Sequence, residues 1–192
     1  MGTSTNQGSP RTPNWRAAQL AYESRDIPLD RALQEIWRAA TNQEEGNIAF
    51  GLSSPIVARC LEIVSSEGSR DAALAKASSA IALSGEASLA STIAERAVAL
   101  SFARGDRVTS FLASLFAEAT NYLVSRDLPG FVGAGGRAEN VSQALAFKSS
   151  LRQRAAEVVA GVRGPEPHGS RQWKTYVDRV IAQLRSIAPN QE

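Results

Sequence analysis

Residue types that carry covalent or metal chemistry are scarce in this chain. The 192 residues include one cysteine, Cys60, and one histidine, His168. A single cysteine cannot form a disulfide within the chain, and this cysteine usage is typical of a reducing compartment. One histidine and one cysteine, far apart in sequence, also fall short of the ligand spacing of a zinc site. The sequence therefore predicts no metal site and no cofactor.

Long apolar runs and targeting signals are absent as well. No stretch of the sequence approaches the roughly 18 consecutive apolar residues that a membrane-spanning helix needs. The N-terminus lacks the basic start and apolar middle of a secretory signal. We therefore expect a cytoplasmic protein that has no membrane partner.

The few reactive side chains have simple structural interpretations. Cys60 lies on the apolar face of a predicted helix, where a free cysteine usually behaves as a small hydrophobic residue. His168 follows two prolines and precedes a glycine in a predicted surface turn. The carboxylates of Glu44-Glu45, Glu95 and Glu118 are expected on solvent-exposed faces. Because no residue is left for acid–base or nucleophilic catalysis, the sequence predicts a non-enzymatic protein.

Apolar residues recur at helical spacing along most of the chain, without strand-like alternation longer than a few residues. The segment from Arg107 to about Ser125 is the most apolar, and we expect it at the centre of the core. Start and stop signals such as Ser53-Ser54-Pro55 and Gly85 separate the helices, and Gly46 to Gly51 is predicted to be a break. The predicted helices cover about 15–24, 29–42, 55–68, 69–83, 86–104, 107–125, 139–162 and 170–187. The fold class is thus all-α, a compact bundle of about seven or eight helices.

The first 13 residues differ in composition from the rest of the chain. They contain two prolines and many small polar side chains, with no large apolar residue after Met1. Such a segment cannot bury enough surface to offset the entropy lost on ordering. We predict a disordered tail over residues 1–13 and a single all-helical domain over residues 14–192. Asn14 is placed to cap the first helix.

A glycine-rich segment precedes the predicted helix over 139–162. Gly133 to Ala138 fits the pattern G-x-G-x-x-A, and backbone amides beside Arg137 could bind a phosphate. A dinucleotide site also needs a preceding strand and a βαβ context, whereas this context is helical. A plain interhelical loop is the favoured interpretation. An anion or nucleic-acid contact through Arg137, or an enzyme site within residues 126–138, are alternatives.

The C-terminal third is more basic than the rest. Residues 137–192 carry 9 Lys/Arg and 5 Asp/Glu, against 12 and 14 in residues 1–136. Arg171, Lys174 and Arg185 share one side of the last predicted helix with Asp178, opposite an apolar stripe. A mixed solvated surface is the favoured interpretation of this face. Nucleic-acid contact is the alternative, and the acidic residue within the face weakens the field that such contact needs.

The N-terminal residues Met1-Gly2-Thr3-Ser4, followed by small polar residues, Gly8 and Pro10, resemble the start of the B component of the Qatuor anti-phage systems. In those systems a partner related to 7-cyano-7-deazaguanine synthases is thought to act on the N-terminal glycine of the B component. The resemblance implies that Gly2, exposed by removal of Met1, is the modified residue. It also implies that the partner enzyme recognises Thr3 and Ser4 beside the modified glycine. N-myristoylation is not predicted, because that motif needs Ser or Thr where this chain has Asn6.

These observations together predict a non-enzymatic accessory or interaction subunit of a bacterial anti-phage defence system. Its N-terminal glycine would be presented to a partner enzyme, and its partners would be other protein subunits. The alternative is a small helical nucleic-acid-binding or regulatory protein that uses the basic C-terminal helices.

Overall fold

The computed structural model describes residues 13–41, 48–85, 88–103, 105–127, 136–164 and 170–187. Within these ranges the chain forms nine helices and no strand, which confirms the predicted all-α class. The helices are α1 (Pro13–Glu23), α2 (Leu29–Thr41), α3 (Ile48–Leu52), α4 (Pro55–Ser66), α5 (Arg70–Ser84), α6 (Leu89–Ser101), α7 (Arg107–Asp127), α8 (Val141–Ala160) and α9 (Ser170–Arg185).

Local signals in the sequence account for several helix ends. The carboxylate of Asp106 accepts hydrogen bonds from the N–H groups of Val108 (3.1 Å) and Thr109 (3.3 Å) and so caps α7. Gly85 ends α5 in the left-handed region, with φ of 67°, which glycine adopts without steric cost. The end at Gly85 confirms the predicted stop signal, and aspartate is among the residue types favoured at the N-cap position that Asp106 occupies.

Two predicted caps differ from the structure. Helix α1 begins at Pro13, so Asn14 lies inside the helix instead of preceding it. Proline is well suited to a first helical position, because its missing N–H has no intrahelical partner there. Ser54 does precede α4 in an extended conformation, but its side chain makes no capping hydrogen bond.

Helix α3 corrects the predicted break between Gly46 and Gly51. Residues 48–52 form a short helix, whose Ile48 and Leu52 side chains are buried. A Cβ atom at Gly51 would lie only 3.0 Å from the Cβ of Ala90 on α6. Glycine at this position therefore permits the close approach of α3 to α6, a tertiary contact that sequence spacing does not reveal.

Helix α7 occupies the centre of the core, as its apolar composition predicts. It contacts α2, α4, α6 and α8, and Phe111, Leu115, Phe116 and Ala119 on it are fully buried. Buried hydrophobic residues from all nine helices join one continuous cluster. The division between a tail over 1–13 and a domain over 14–192 stays a prediction, because residues 1–12 lie outside the described ranges.

Helix α1 lies at one side of the body and packs mainly against α2. Its residues Trp15, Ala18, Ala21 and Tyr22 are buried. The Tyr22 ring also meets the ring of Phe147 on α8, with centroids 5.3 Å apart. The α1–α2 turn is thereby held beside α8, and this junction forms the walls of a cleft.

Candidate functional site

A cleft of about 550 Å³ opens where the α1–α2 turn faces α8. Residues 25–30 line one side, and Arg137, Arg154 and Glu157 line the other. Three arginines and three carboxylates therefore meet around the apolar side chains of the turn. The partners of these charges determine what the cleft can bind.

Arg137 ties the end of α1 to the start of α8. Its Nε donates to the carbonyl oxygen of Tyr22 (3.0 Å) and its Nη2 to that of Ala21 (3.2 Å). Nη2 also donates to the carbonyls of Ser24 and Ile27. These contacts satisfy carbonyl groups that the end of a helix leaves without intrahelical partners.

The guanidinium of Arg137 also lies over the Phe147 ring, 4.0 Å from its centroid. Desolvation by burial lowers the pKa of Arg137, while the Tyr22 phenol acts in the opposite direction. The backbone N–H of Arg137 donates to the carbonyl of Glu23 (2.7 Å). Arg137 thus has a structural role that the sequence analysis did not foresee, and anion binding by this residue stays a prediction.

Arg154 and Asp30 form a two-pronged ion pair between α8 and the first turn of α2. Nε lies 2.6 Å from Oδ1 and Nη2 lies 3.2 Å from Oδ2. The side chain of Asp30 is only 9% exposed and that of Arg154 is 23% exposed. The hydrogen bond to Asp30 is the main cause that raises the pKa of Arg154. The pair is therefore a fixed part of the cleft wall.

The rim of the cleft is more open. Arg25 pairs with Glu139 at 2.6 Å, with both side chains more than half exposed. Asp26 is exposed and makes no hydrogen bond or ion pair within the described residues. Glu157 is 49% exposed and contacts Arg154 at 3.3 Å. The rim therefore retains carboxylate groups that can accept further contacts.

Glu118 overturns an expectation from the sequence. We expected this residue on an exposed face, but its side chain is 3% exposed. It pairs with Arg152 on α8 and, at 3.2 Å, with Arg96 on α6. The signal that points to burial is its position within the apolar pattern of α7, three residues after Leu115. This cluster joins α6, α7 and α8.

Two of the basic residues predicted to contact nucleic acid, Lys174 and Arg185, have described side chains on α9. Lys174 and Arg185 are exposed, and the stripe of Trp173, Val177, Val180 and Leu184 on the other side is buried. Lys174 pairs with Asp178 at 2.9 Å. The side chain of Arg171 lies outside the described residues.

Burial determines the chemistry of Cys60. Cys60 is fully buried, and burial is the main cause that raises its pKa to about 11. Its thiol is therefore protonated at neutral pH and is a poor nucleophile. Among the described residues, no three or more His, Cys, Asp or Glu side chains group as metal ligands would. His168 and Glu44-Glu45 lie outside these ranges.

The remaining predicted sites also fall outside the described residues. These are Gly2, Thr3 and Ser4 at the N-terminus and residues 128–135 of the glycine-rich segment. The structure does not test the roles predicted for them. In the part of the chain that is described, no helix is both long and apolar enough to cross a bilayer.

Comparison with protein-family models, curated proteins and solved structures finds no match to this chain. The fold and the cleft therefore define its class: an all-α domain with a charged cleft beside its first helix. The link to the Qatuor B component depends on the N-terminal residues alone.

Proposed function

We propose that this protein is a non-catalytic interaction subunit that presents its N-terminal segment to a partner enzyme of a bacterial anti-phage system. The observation that carries the proposal is the resemblance of Met1-Gly2-Thr3-Ser4 to the Qatuor B component. The arrangement of the helical body supports it in three ways.

First, several charged and reactive side chains of the described body have structural partners or surroundings. Asp30 and Glu118 form ion pairs with arginines, and Arg137 donates hydrogen bonds to backbone carbonyl groups. Cys60 is buried and its pKa is raised. These groups hold the helices together, which is the pattern expected of an interaction subunit.

Second, the helix that follows the N-terminal segment is firmly attached. Trp15, Ala18 and Tyr22 of α1 are buried, and Arg137 hydrogen-bonds the carbonyls at its C-terminal end. The N-terminal segment is therefore attached to the body at a fixed point, the start of α1. Residues 2–12 can span at most about 40 Å when fully extended, so a bound enzyme could reach Gly2 within that radius.

Third, an N-terminal glycine suits covalent modification. An α-amino group has a pKa of about 8, so a useful fraction is unprotonated and nucleophilic at neutral pH. Glycine has no side chain to hinder approach of a reagent. Thr3 and Ser4 then supply hydroxyl groups that an enzyme can recognise by hydrogen bonds.

Intact-mass measurement tests the proposal. The chain is expressed with its neighbouring genes and, separately, without them. We expect a neighbour-dependent mass increase that maps to Gly2, with Met1 removed, and we expect the increase to disappear in Gly2→Pro. Ser9→Pro is the matched control, because it alters the same segment away from Gly2, and it should keep the adduct. An unmodified Gly2 under both conditions contradicts the proposal.

The second candidate function is nucleic-acid binding by α9, which the exposure of Lys174 and Arg185 favours. Charge reversal at Arg171, Lys174 and Arg185 should then weaken binding to a DNA or RNA duplex, with a strong dependence on salt. Binding that is absent at low salt rejects this candidate.

A further inference from the structure

The carboxylates around the cleft beside α1 outnumber its guanidinium groups by one, because the three lining carboxylates and Glu139, the partner of Arg25, face three arginines. Arg154 forms an ion pair with Asp30, and Arg25 forms one with Glu139, which does not line the cleft. Arg137 donates its hydrogen bonds to backbone carbonyl groups. Asp26, by contrast, has no partner among the described residues. The group that best complements the rim is therefore a cation.

Glu157 adds to this negative rim from the opposite wall. Its Oε1 accepts a hydrogen bond from Gln153 at 3.0 Å, and its Oε2 lies 3.3 Å from Nη1 of Arg154. Both contacts are exposed, so the carboxylate can also accept a donor from a bound partner. Asp26 and Glu157 belong to different walls of one cleft.

The α1–α2 turn adds apolar contact and a fixed shape to the lining of the cleft. Ile27, Pro28 and Leu29 contribute to its lining, and Ile27 and Leu29 are half-buried. The turn that carries them is braced on both flanks, by Arg137 and by the Asp30–Arg154 pair. A braced apolar surface with a charged rim is typical of a protein–protein contact, because little side-chain freedom is lost on binding.

The position of the cleft connects it to the N-terminal segment. Helix α1 has 11 residues, so its two ends are about 16 Å apart. The cleft lies at the C-terminal end of α1, and the segment that carries Gly2 joins the N-terminal end. One partner of ordinary size can therefore contact both.

We propose that this cleft docks a lysine- or arginine-bearing segment of the enzyme that modifies Gly2. The inference rests on the proposed function and adds a second point of contact to it. Binding at the cleft raises the effective concentration of Gly2 at the active site of the enzyme. A basic side chain meets Asp26 and Glu157, and its neighbouring apolar residues cover Ile27 and Leu29.

The test compares rates of Gly2 modification by the enzyme whose co-expression produces the adduct. Asp26→Lys is the main variant, since Asp26 is exposed and the described residues give it no partner whose loss would disturb the fold. We expect a rate about tenfold lower than that of the unaltered protein at low salt, and a smaller difference at high salt, where the rim charge is screened. Glu62→Lys is the matched control. It reverses an exposed charge on α4 that does not line the cleft, and it should keep the full rate.

A synthetic peptide that begins at Gly2 and ends at Pro13 separates the two proposals. We expect the enzyme to modify it at least tenfold more slowly than the whole protein. Equal rates for peptide and protein, or an unchanged rate for Asp26→Lys at low salt, overturn the docking site and leave the proposed function intact. Failure of every substrate to acquire an adduct overturns both.

Discussion

Arg152 and Arg154 lie two residues apart on α8, and they pair with carboxylates on different neighbouring helices. Arg152 contacts Glu118 on α7, whereas Arg154 contacts Asp30 on α2. Residues two apart on a helix differ by about 200° in direction, so the two pairs hold α8 from roughly opposite sides. Between them the helix buries Leu151, which is fully inaccessible.

The two pairs differ in what surrounds them. Glu118 is 3% exposed and receives a second arginine, Arg96, so it has little room for an outside partner. Asp30 belongs to a cleft that is also lined by Asp26, an exposed carboxylate for which the described part of the chain provides no partner. Both sites are carboxylate–arginine pairs. The Glu118 pair contributes to packing alone, whereas the Asp30 pair also shapes a surface that a partner can reach.

The largest expected effect is at Glu118. Glu118→Ala removes the buried carboxylate that pairs with both Arg96 and Arg152 and leaves a cavity beside the core. We expect a loss of about 3 kcal/mol in the free energy of unfolding. Urea denaturation measures it. The double variant Glu118→Met with Arg152→Met should recover most of this loss, because an apolar pair needs no compensation. A change below about 0.5 kcal/mol in Glu118→Ala, the scale of a neutral surface substitution, contradicts the structural role.

The second effect is at Arg137. Arg137→Ala removes several donors from partly buried carbonyls, and we expect a loss of about 2 kcal/mol. Hydrogen–deuterium exchange should increase in α1 more than in α7. Arg137→Lys should be intermediate, because an ammonium group lacks the planar fork of a guanidinium. Arg179→Ala, an exposed arginine on α9, is the control and should change neither quantity. Uniform exchange across the chain in Arg137→Ala contradicts a local role.

The smallest effect is at Asp30. Asp30→Ala should cost about 1 kcal/mol in urea denaturation, less than Glu118→Ala, because Arg154 keeps Glu157 as a second carboxylate partner. The comparison between the two pairs is wrong if the loss at Asp30 exceeds that at Glu118.

The sequence predicts the helices well where residues close together in the chain determine which face is buried and where the helix begins. The apolar pattern of α7 places Phe111 and Leu115 in the core, and the carboxylate of Asp106 caps the start of that helix. These features depend on residues within one or two turns of each other. The spacing of residues along the chain is therefore enough to predict such local features.

The cleft depends on contacts between distant parts of the chain. Arg154 is separated from Asp30 by 124 residues, and Arg137 from Tyr22 by 115. A lone arginine in a glycine-rich segment predicts an anion contact as readily as a contact with carbonyl groups. Glu118 was misjudged for a similar reason, since an acidic residue in a helix is ordinarily exposed unless a partner from another helix compensates it.

The central claim concerns the α-amine of Gly2. The most direct measurement is tandem mass spectrometry of the N-terminal peptide from the protein purified from its own cells. We predict a peptide that begins at Gly2 and carries an added mass on its first residue, with the added mass lost when the gene of the proposed partner enzyme is deleted. A peptide that begins with unmodified Gly2 or retains Met1, whether or not that enzyme is present, contradicts the claim.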